Sequence, residues 1–532
     1  MNPALGLILM LCAVVVLGVL ARRINIPYPV ACVAGGLAMS FIHNAPHPVL
    51  EPDLFFLFVL PPLLFGAAWT TDWHEFKRNL RPILLAAIGL VILTTVAVAA
   101  VVHATMPGFT WALAFTLGAI VSPPDAVAAE AIFERLPVPR RIVAIVSGEC
   151  LVNDATALVL YRFAVAAIAT ATFVPGQVAL AFVGVAVGGI VAGLAIAFLT
   201  EFVIRLIVRG GFDQPTLINV VLLIVPFAAY LFAESVNVSG VLSAVTAGML
   251  LSRRMSSVVD SGTRIEGRAT WEMLLFVLNA FVFLLIGLQL PQIVVGLEHD
   301  LGKYLLDGLI VSILVIVVRL AWIFPAAYLP RMLSKRLRER DPLPSWRTVL
   351  VIGWAGMRGI VSLADALGVS YAAGLGTDAP VRSAIVFITF CVIMVTLVGQ
   401  GLTLGPLIKW LGVAESSEPR KRETELRVRA LEEGIARLHA LEATYDTPHE
   451  WEIAGRLLGE YEHRIAHLRG KLDGSDESTE VDEIATDRRL QKEALDAERT
   501  AINRMRAAGE IPDDIFRSIE YDLDLAAVQL SG

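Results

Sequence analysis

Apolar residues come in long blocks from Met1 to about Leu411, and short charged segments separate the blocks. Each block is near the roughly 20 residues that carry a helix across a bilayer. Reading each as one helix places spans near 3–21, 28–42, 53–69, 82–104, 110–133, 141–170, 176–208, 215–234, 238–252, 271–296, 305–330, 346–373 and 383–411, about thirteen in all. From about Glu415 charged and polar residues take over. There "TELRVRALEEGIARLHALEATY" and "EYEHRIAHLRGKL" place apolar residues at helical spacing between charged faces. "GSDESTEVDE" reads as a polar linker, and amphipathic helices follow it. The pattern predicts an all-α membrane protein in two parts: a transmembrane domain over roughly 1–412 and an all-α helical tail over roughly 413–532.

Composition and charge orient this arrangement. The chain is 56% hydrophobic and 17% charged, against about 25% charged for soluble domains. Its net charge of -7 comes largely from the tail and says little about partners. The first block has no basic residue before it and Arg22-Arg23 after it, the reverse of a cleavable leader, so a retained span with its N-terminus outside is expected. One set of alternate loops then holds Arg22, Arg23, Lys77, Arg78, Arg81, Arg135, Arg140, Arg141, Arg253, Arg254, Arg264, Arg268, Lys335, Arg336, Arg338 and Arg340, while the other set holds little beyond Lys303 and Arg382. Basic residues stay on the cytoplasmic side, so this asymmetry predicts a multi-pass protein of the cell (inner) membrane with a cytoplasmic tail. Cys12, Cys32, Cys150 and Cys391 each lie in an apolar stretch and suggest neither a disulfide framework nor a metal cluster. Nucleotide-binding glycine loops and metal motifs are absent from the sequence, so no enzyme activity, cofactor or nucleic-acid partner is expected.

Charges inside the spans carry the chemistry, because a charge at the bilayer centre costs at least a few kcal/mol and usually faces the bundle interior. The candidates are Asp125, Glu130, Glu149, Asp154, Glu234, Arg319, Arg358 and Asp365. In "GAIVSPPDAVAAEAIF", Pro123 and Pro124 lack backbone N–H groups, so a helix break is expected just before Asp125. The break would free carbonyls that must meet a cavity or an ion. Arg358 lies in "GWAGMRGIVSLADAL", where Gly353, Gly356 and Gly359 weaken the helix. Paired interruptions in corresponding spans point to an inverted-repeat transporter whose two broken helices cross at the site. Asp125 and Arg358 would compensate the helix ends that meet there. Arg319 needs a buried counter-charge, and Glu149 is the expected partner in a structural ion pair. In "SGECLVND", Cys150 and Asp154 share a helix face, while Glu149 is rotated away from Asp154. A polar clamp between helices remains an alternative for Asp154 and Glu149. Asp365 is expected to make a satisfied polar contact, with lining of the passage as the alternative, and Glu130 and Glu234 to lie near span ends.

"PPDAVA", "SGECLVND", "NVSGVLSAVTAGMLL", "LNAFVFLLIGLQL" and "GWAGMRGIVSLADAL", in this order, resemble the electroneutral branch of the cation/proton antiporter superfamily, which contains bacterial NhaP-type proteins and animal sodium/hydrogen exchangers. The resemblance implies that Asp154 carries the cation or proton with Asn153 beside it, and that Glu149 pairs with Arg319. It also aligns Arg358 with the arginine of the second broken helix, and implies a homodimer. Two positions depart from the family pattern: Cys150 stands where many members have Ser, and Pro124 where they have Thr. A thiol replaces one hydroxyl ligand, and the backbone carbonyl of Pro124 stays available to an ion.

Asp125 and Asp154 would offer hard oxygen ligands to Na⁺, with Li⁺ or K⁺ as further candidates. No histidine lies in a plausible core position. A buried Asp154 is neutralised equally by a proton or a cation, whereas the empty anion is costly to carry across. That coupling yields exchange. Arginines do not release protons, and no lysine is central, so one H⁺ per cation by alternating access is expected, serving pH and sodium homeostasis. An ion channel and a membrane sensor acting through the tail are the competing classes. Unitary currents would favour the first, and a signalling signature in the tail the second.

Overall fold

The computed structural model describes residues 3–42, 51–136, 138–170, 175–212, 214–255, 257–295, 301–372, 380–413, 418–442, 447–473, 478–507 and 513–531. The chain forms two compact units, Met1–Glu415 and Ser416–Gly532.

In the first unit the apolar blocks form α1 (Pro3–Arg23), α2 (Tyr28–Ser40), α3 (Pro52–Thr70), α4 (Leu80–Thr105), α5 (Trp111–Val121), α6 (Val127–Phe133), α7 (Arg140–Thr170), α8 (Pro175–Arg209), α9 (Pro215–Ser235), α10 (Gly240–Met255), α11 (Ser261–Leu288), α12 (Leu301–Leu333), α13 (Trp346–Trp354), α14 (Ile360–Ala372) and α15 (Val381–Leu411). Among the described residues nine helical segments are long and apolar enough to cross a membrane, and α2 and α5 are shorter apolar helices. The fifth and twelfth blocks are each divided, α5 from α6 and α13 from α14.

Short polar residues set several helix starts. The Thr110 hydroxyl accepts from Leu113 N–H and opens α5; the Ser345 hydroxyl accepts from Thr348 N–H and opens α13. The Asp260 carboxylate accepts from Gly262 and Thr263 N–H at 3.0 and 3.2 Å. It caps α11 ahead of the apolar block expected from 271, so Arg264 and Arg268, read as loop residues from the sequence, lie in the first turns of a helix.

Outward faces and inward faces differ as a bilayer demands. Val16 of α1 and Phe202 of α8 are 63% and 64% exposed, while α7 keeps Ile142, Leu151 and Ala155 buried. A low-dielectric solvent gives apolar packing little net drive, so close backbone approach matters more. At the crossing of α2 and α11, a Cβ on Gly36 would lie 2.2 Å from the Leu284 carbonyl, and one on Gly287 would lie 2.2 Å from the Val33 carbonyl. Both positions therefore require glycine.

The second unit contains α16 (Glu418–Leu441), α17 (Pro448–Asp473), α18 (Ser478–Ala507) and α19 (Asp513–Ser531). α16 packs on α17 and α18 on α19. Arg469 of α17 reaches Glu432 of α16 at 2.6 Å, and Ile502, Phe516 and Leu523 form a small apolar cluster between α18 and α19.

Candidate functional site

The site is built where the two divided helices meet. Pro123 and Pro124 cannot continue the hydrogen bonding of α5, and the backbone runs non-helically through them before α6. The groups this frees are taken up across the bundle. Asp125 N–H donates to the Met357 carbonyl at 2.7 Å, joining one break to the other. Asn153 Nδ2 of α7 donates to the Pro124 carbonyl at 2.8 Å. Asp125 Oδ1 accepts from Val127 N–H at 2.9 Å, which starts α6.

The second break is closed differently. Arg358 N–H donates to Thr396 Oγ1 of α15 at 3.0 Å, and that hydroxyl in turn donates to the Val392 carbonyl. The Arg358 side chain is fully buried; its Nη1 donates to the Gly356 carbonyl at 3.4 Å, and its Nε and Nη2 have no hydrogen-bond partner among the described residues. A permanent cation therefore sits among the carbonyls at the end of α13. The two breaks approach so closely that a Cβ on Gly359 would lie 2.0 Å from Asp125 Oδ2.

Beside this crossing is a cavity of about 90 Å³. Asp154, Asp125, Cys150 and Pro124 line it, together with Glu130, Ser147 and Asn279. Asp154 and Cys150 come from one face of α7, as their spacing requires, and Asp125 comes from the break. Three carboxyl groups, those of Asp125, Glu130 and Asp154, thus share one small cavity with the Ser147 hydroxyl, the Cys150 thiol and the Asn279 amide, inside walls that are otherwise largely apolar. Hard oxygens of this kind can take a monovalent cation or a proton.

Arg319 of α12 lies behind the pocket, on the opposite face of α7. Its Nη1 and Nη2 donate to Glu149 at 2.5 and 2.9 Å, and its Nε and Nη2 also donate to the Gly353 and Ile352 carbonyls at 3.1 and 3.2 Å. Both side chains are essentially inaccessible, 1% and 0% exposed. The guanidinium thus ties α7 to the end of α13, and a Cβ on Gly356 would lie 2.2 Å from Arg319 Cδ.

The geometry differs from the sequence expectation at Glu130, Asp365 and Asn279. Asn153, expected beside Asp154 at the cation site, gives its Nδ2 to the Pro124 carbonyl freed by the break, while its Oδ1 is buried and has no hydrogen-bond partner among the described residues. Glu130, expected near a span end, lines the cavity and accepts a hydrogen bond from Ser147 of α7. Asp365, expected to be satisfied, is buried with Oδ1 unpartnered among the described residues; only its backbone carbonyl is engaged, by Tyr161 Oη at 3.3 Å. Asn279 was overlooked, although an asparagine within "LNAFVFLLIGLQL" is itself a signal, since apolar spans seldom carry an amide. Glu234 stands next to the last residue of α9, pairs with Arg162 at 2.8 Å and accepts from Gly240 N–H.

Comparison with known proteins gives the family and the fold. Residues 7–410 match the family described as "Sodium/hydrogen exchanger, transmembrane". The chain is 33% identical to the "Uncharacterized Na(+)/H(+) exchanger YjcE" of Escherichia coli over 94% of this chain and 93% of that one. It is 29% identical to the "Sodium, potassium, lithium and rubidium/H(+) antiporter" of Bacillus subtilis over 92% of this chain and 72% of that one. The solved sodium proton antiporter MjNhaP1 of Methanocaldococcus jannaschii superposes with a TM-score of 0.58 at 18% identity, covering 77% of this chain and all of that one. That similarity concerns the fold.

Proposed function

From the premise that the chain belongs to the sodium/hydrogen exchanger family, we propose that this multi-pass transporter exchanges one Na⁺ for one H⁺ at a single carboxylate, Asp154. The carrying observation is the small pocket that Asp154 shares with Asp125, Glu130, Cys150 and Pro124, with no basic residue among its described lining. A proton or a cation neutralises Asp154 to the same extent. The empty pocket keeps uncompensated negative charge in a medium that penalises it. Only a loaded pocket then crosses, and the two ligands exclude each other.

Asp125 supplies the second oxygen ligand, and its side chain is oriented by Val127 N–H. Asn153 acts through the Pro124 carbonyl, holding it at the pocket wall. Glu149 and Arg319 are a structural pair, and Arg358 compensates the meeting helix ends. None of these arginines can deliver a second proton, which favours an electroneutral cycle. Li⁺ and K⁺ are further candidate substrates, supported by the printed name of the Bacillus subtilis relative. The loop charges support an inner-membrane location with the N-terminus outside and the tail in the cytoplasm. A homodimer and a role in pH and sodium homeostasis complete the reading.

The test is transport in proteoliposomes. Na⁺ gradients should drive dequenching of a pH dye at a rate unaffected by imposed voltage, with Na⁺ and H⁺ competing. Asp154→Asn should remove the exchange while melting like the parent. A sustained current during exchange would overturn one-for-one coupling, and an active Asp154→Asn would overturn the carrier.

A further inference from the structure

Glu130 and Ser147 belong to two cavities at once. Both line the small pocket around Asp125 and Asp154. Both also line a second cavity of about 380 Å³, whose other walls include Asp72, Glu75, Glu134 and Arg140. Asp72 and Glu75 follow the end of α3, Glu134 ends α6 and Arg140 starts α7, so this cavity sits at the end of the bundle that carries the basic loops. Between the two cavities Ser147 Oγ–H donates to Glu130 Oε1.

The placement follows from helix geometry. Ser147, Cys150 and Asp154 fall three and four residues apart on α7, and so form one row along its pocket face. Glu130 lies one turn into α6, below Asp125. A carboxylate and a hydroxyl common to both cavities thus face each other, and the row of oxygens and sulfur continues from them to Asp154. Were the pair a mere staple between α6 and α7, any two hydrogen-bonding groups would serve. A carboxylate buried there is costlier than an amide or hydroxyl, and no ion pair to Glu130 is seen among the described residues.

We infer that Glu130, hydrogen-bonded to Ser147, is the gate of the exchange path at the basic-loop end: a specificity-determining carboxylate that takes the alkali cation from the larger cavity, the outer of the two along the path, and passes it to Asp154. The cation displaces the Ser147 hydroxyl from Glu130 as it enters, and the hydrogen bond re-forms once the cation has moved on. The inference rests on the exchange reading above and adds a sided step to it.

Sidedness provides the test. Exchange by the full-length protein is measured in everted and in right-side-out membrane vesicles, with Na⁺ titrated in the bath and with melting temperature recorded for each variant. Glu130→Gln keeps the size of the side chain and its contact with Ser147. It should raise the apparent KM for Na⁺ about tenfold or more when Na⁺ is offered from the face bearing the outer cavity, the usual scale for losing a charged contact. From the opposite face the shift should stay within about twofold by the same reasoning, since Asp154 and Asp125 remain. Ser147→Ala, which keeps the carboxylate, should show the same sidedness with a smaller shift. Equal shifts from both faces, or none, in variants that melt like the parent would overturn the gate. Inactivity together with a lowered melting temperature in both variants would also overturn it, in favour of a staple. If the parent vesicles themselves exchange no Na⁺ for H⁺, the functional reading fails instead, and the two failures are therefore distinct.

Discussion

At the scale of single residues, the strongest commitment is the ion pair between Arg319 and Glu149. Two charges removed from water recover the cost only when every hydrogen-bonding group is used, and Arg319 spends its guanidinium on Glu149 and on the Gly353 and Ile352 carbonyls. Truncation strands the carboxylate. Arg319→Ala should therefore lose roughly 3–5 kcal/mol of stability, visible as a lowered melting temperature and poor yield in detergent. Normal yield and an unchanged melt would show that the pair does not hold α7 to α12. This pair was legible in the sequence because an isolated arginine in an apolar block demands an acid, and few acids are central. Asn153 was not legible in the same way. Its amide is committed to a carbonyl 29 positions away, and that carbonyl is free only because of a break in another helix. Glu130 was misjudged because distance from a span end is a poor guide where the helix has already been interrupted.

Elements show what sequence periodicity can and cannot reach. The prolines before Asp125 and the glycines around Arg358 mark both interruptions, since each removes helix stability by a mechanism independent of tertiary context. What they cannot reveal is how the interruptions fit together. Gly359 has room for no side chain, because a Cβ would sit 2.0 Å from an oxygen of Asp125 whose other oxygen is already held by Val127 N–H. Gly359→Ala should push Asp125 out of the pocket and lower the exchange rate by about tenfold or more, while the surrounding helices stay formed. Parent-like exchange by this variant would mean that the crossing tolerates displacement. The early start of α11 was likewise out of reach, as charged residues in the first turns of a capped helix look like a loop in a hydropathy profile.

For the molecule as a whole, the order of the apolar blocks and their helical type were readable. Lateral connections were not. Asp341, in the segment after α12, accepts from Arg141 at the start of α7 at 2.7 Å and from Arg331 at the end of α12 at 2.5 Å, with Arg81 of α4 at 3.9 Å. Burial alone would raise its carboxyl, but the hydrogen bond and charge of Arg141, with those of Arg331, outweigh burial and hold it below the usual carboxylate range. A depressed value in the fold means that the contribution is fully present above the unfolded pKa of about 4 and is lost as pH falls through the folded value. Asp341→Asn should accordingly cost about 1–3 kcal/mol near neutrality and progressively less as the medium is acidified below about pH 4. Melting curves of both proteins across that range check the sign. A gap that widens on acidification would refute the assignment.

The bond from Asp125 N–H to the Met357 carbonyl carries one more consequence. It is a rivet through two chain segments that are far apart in sequence and both lack regular helix. Pulling them apart would leave a buried donor and a buried acceptor without each other, at about 1–3 kcal/mol for each group left unpaired. In the alternating-access cycle proposed above, the riveted pair would travel as one block, and the sliding surfaces would lie elsewhere in the bundle.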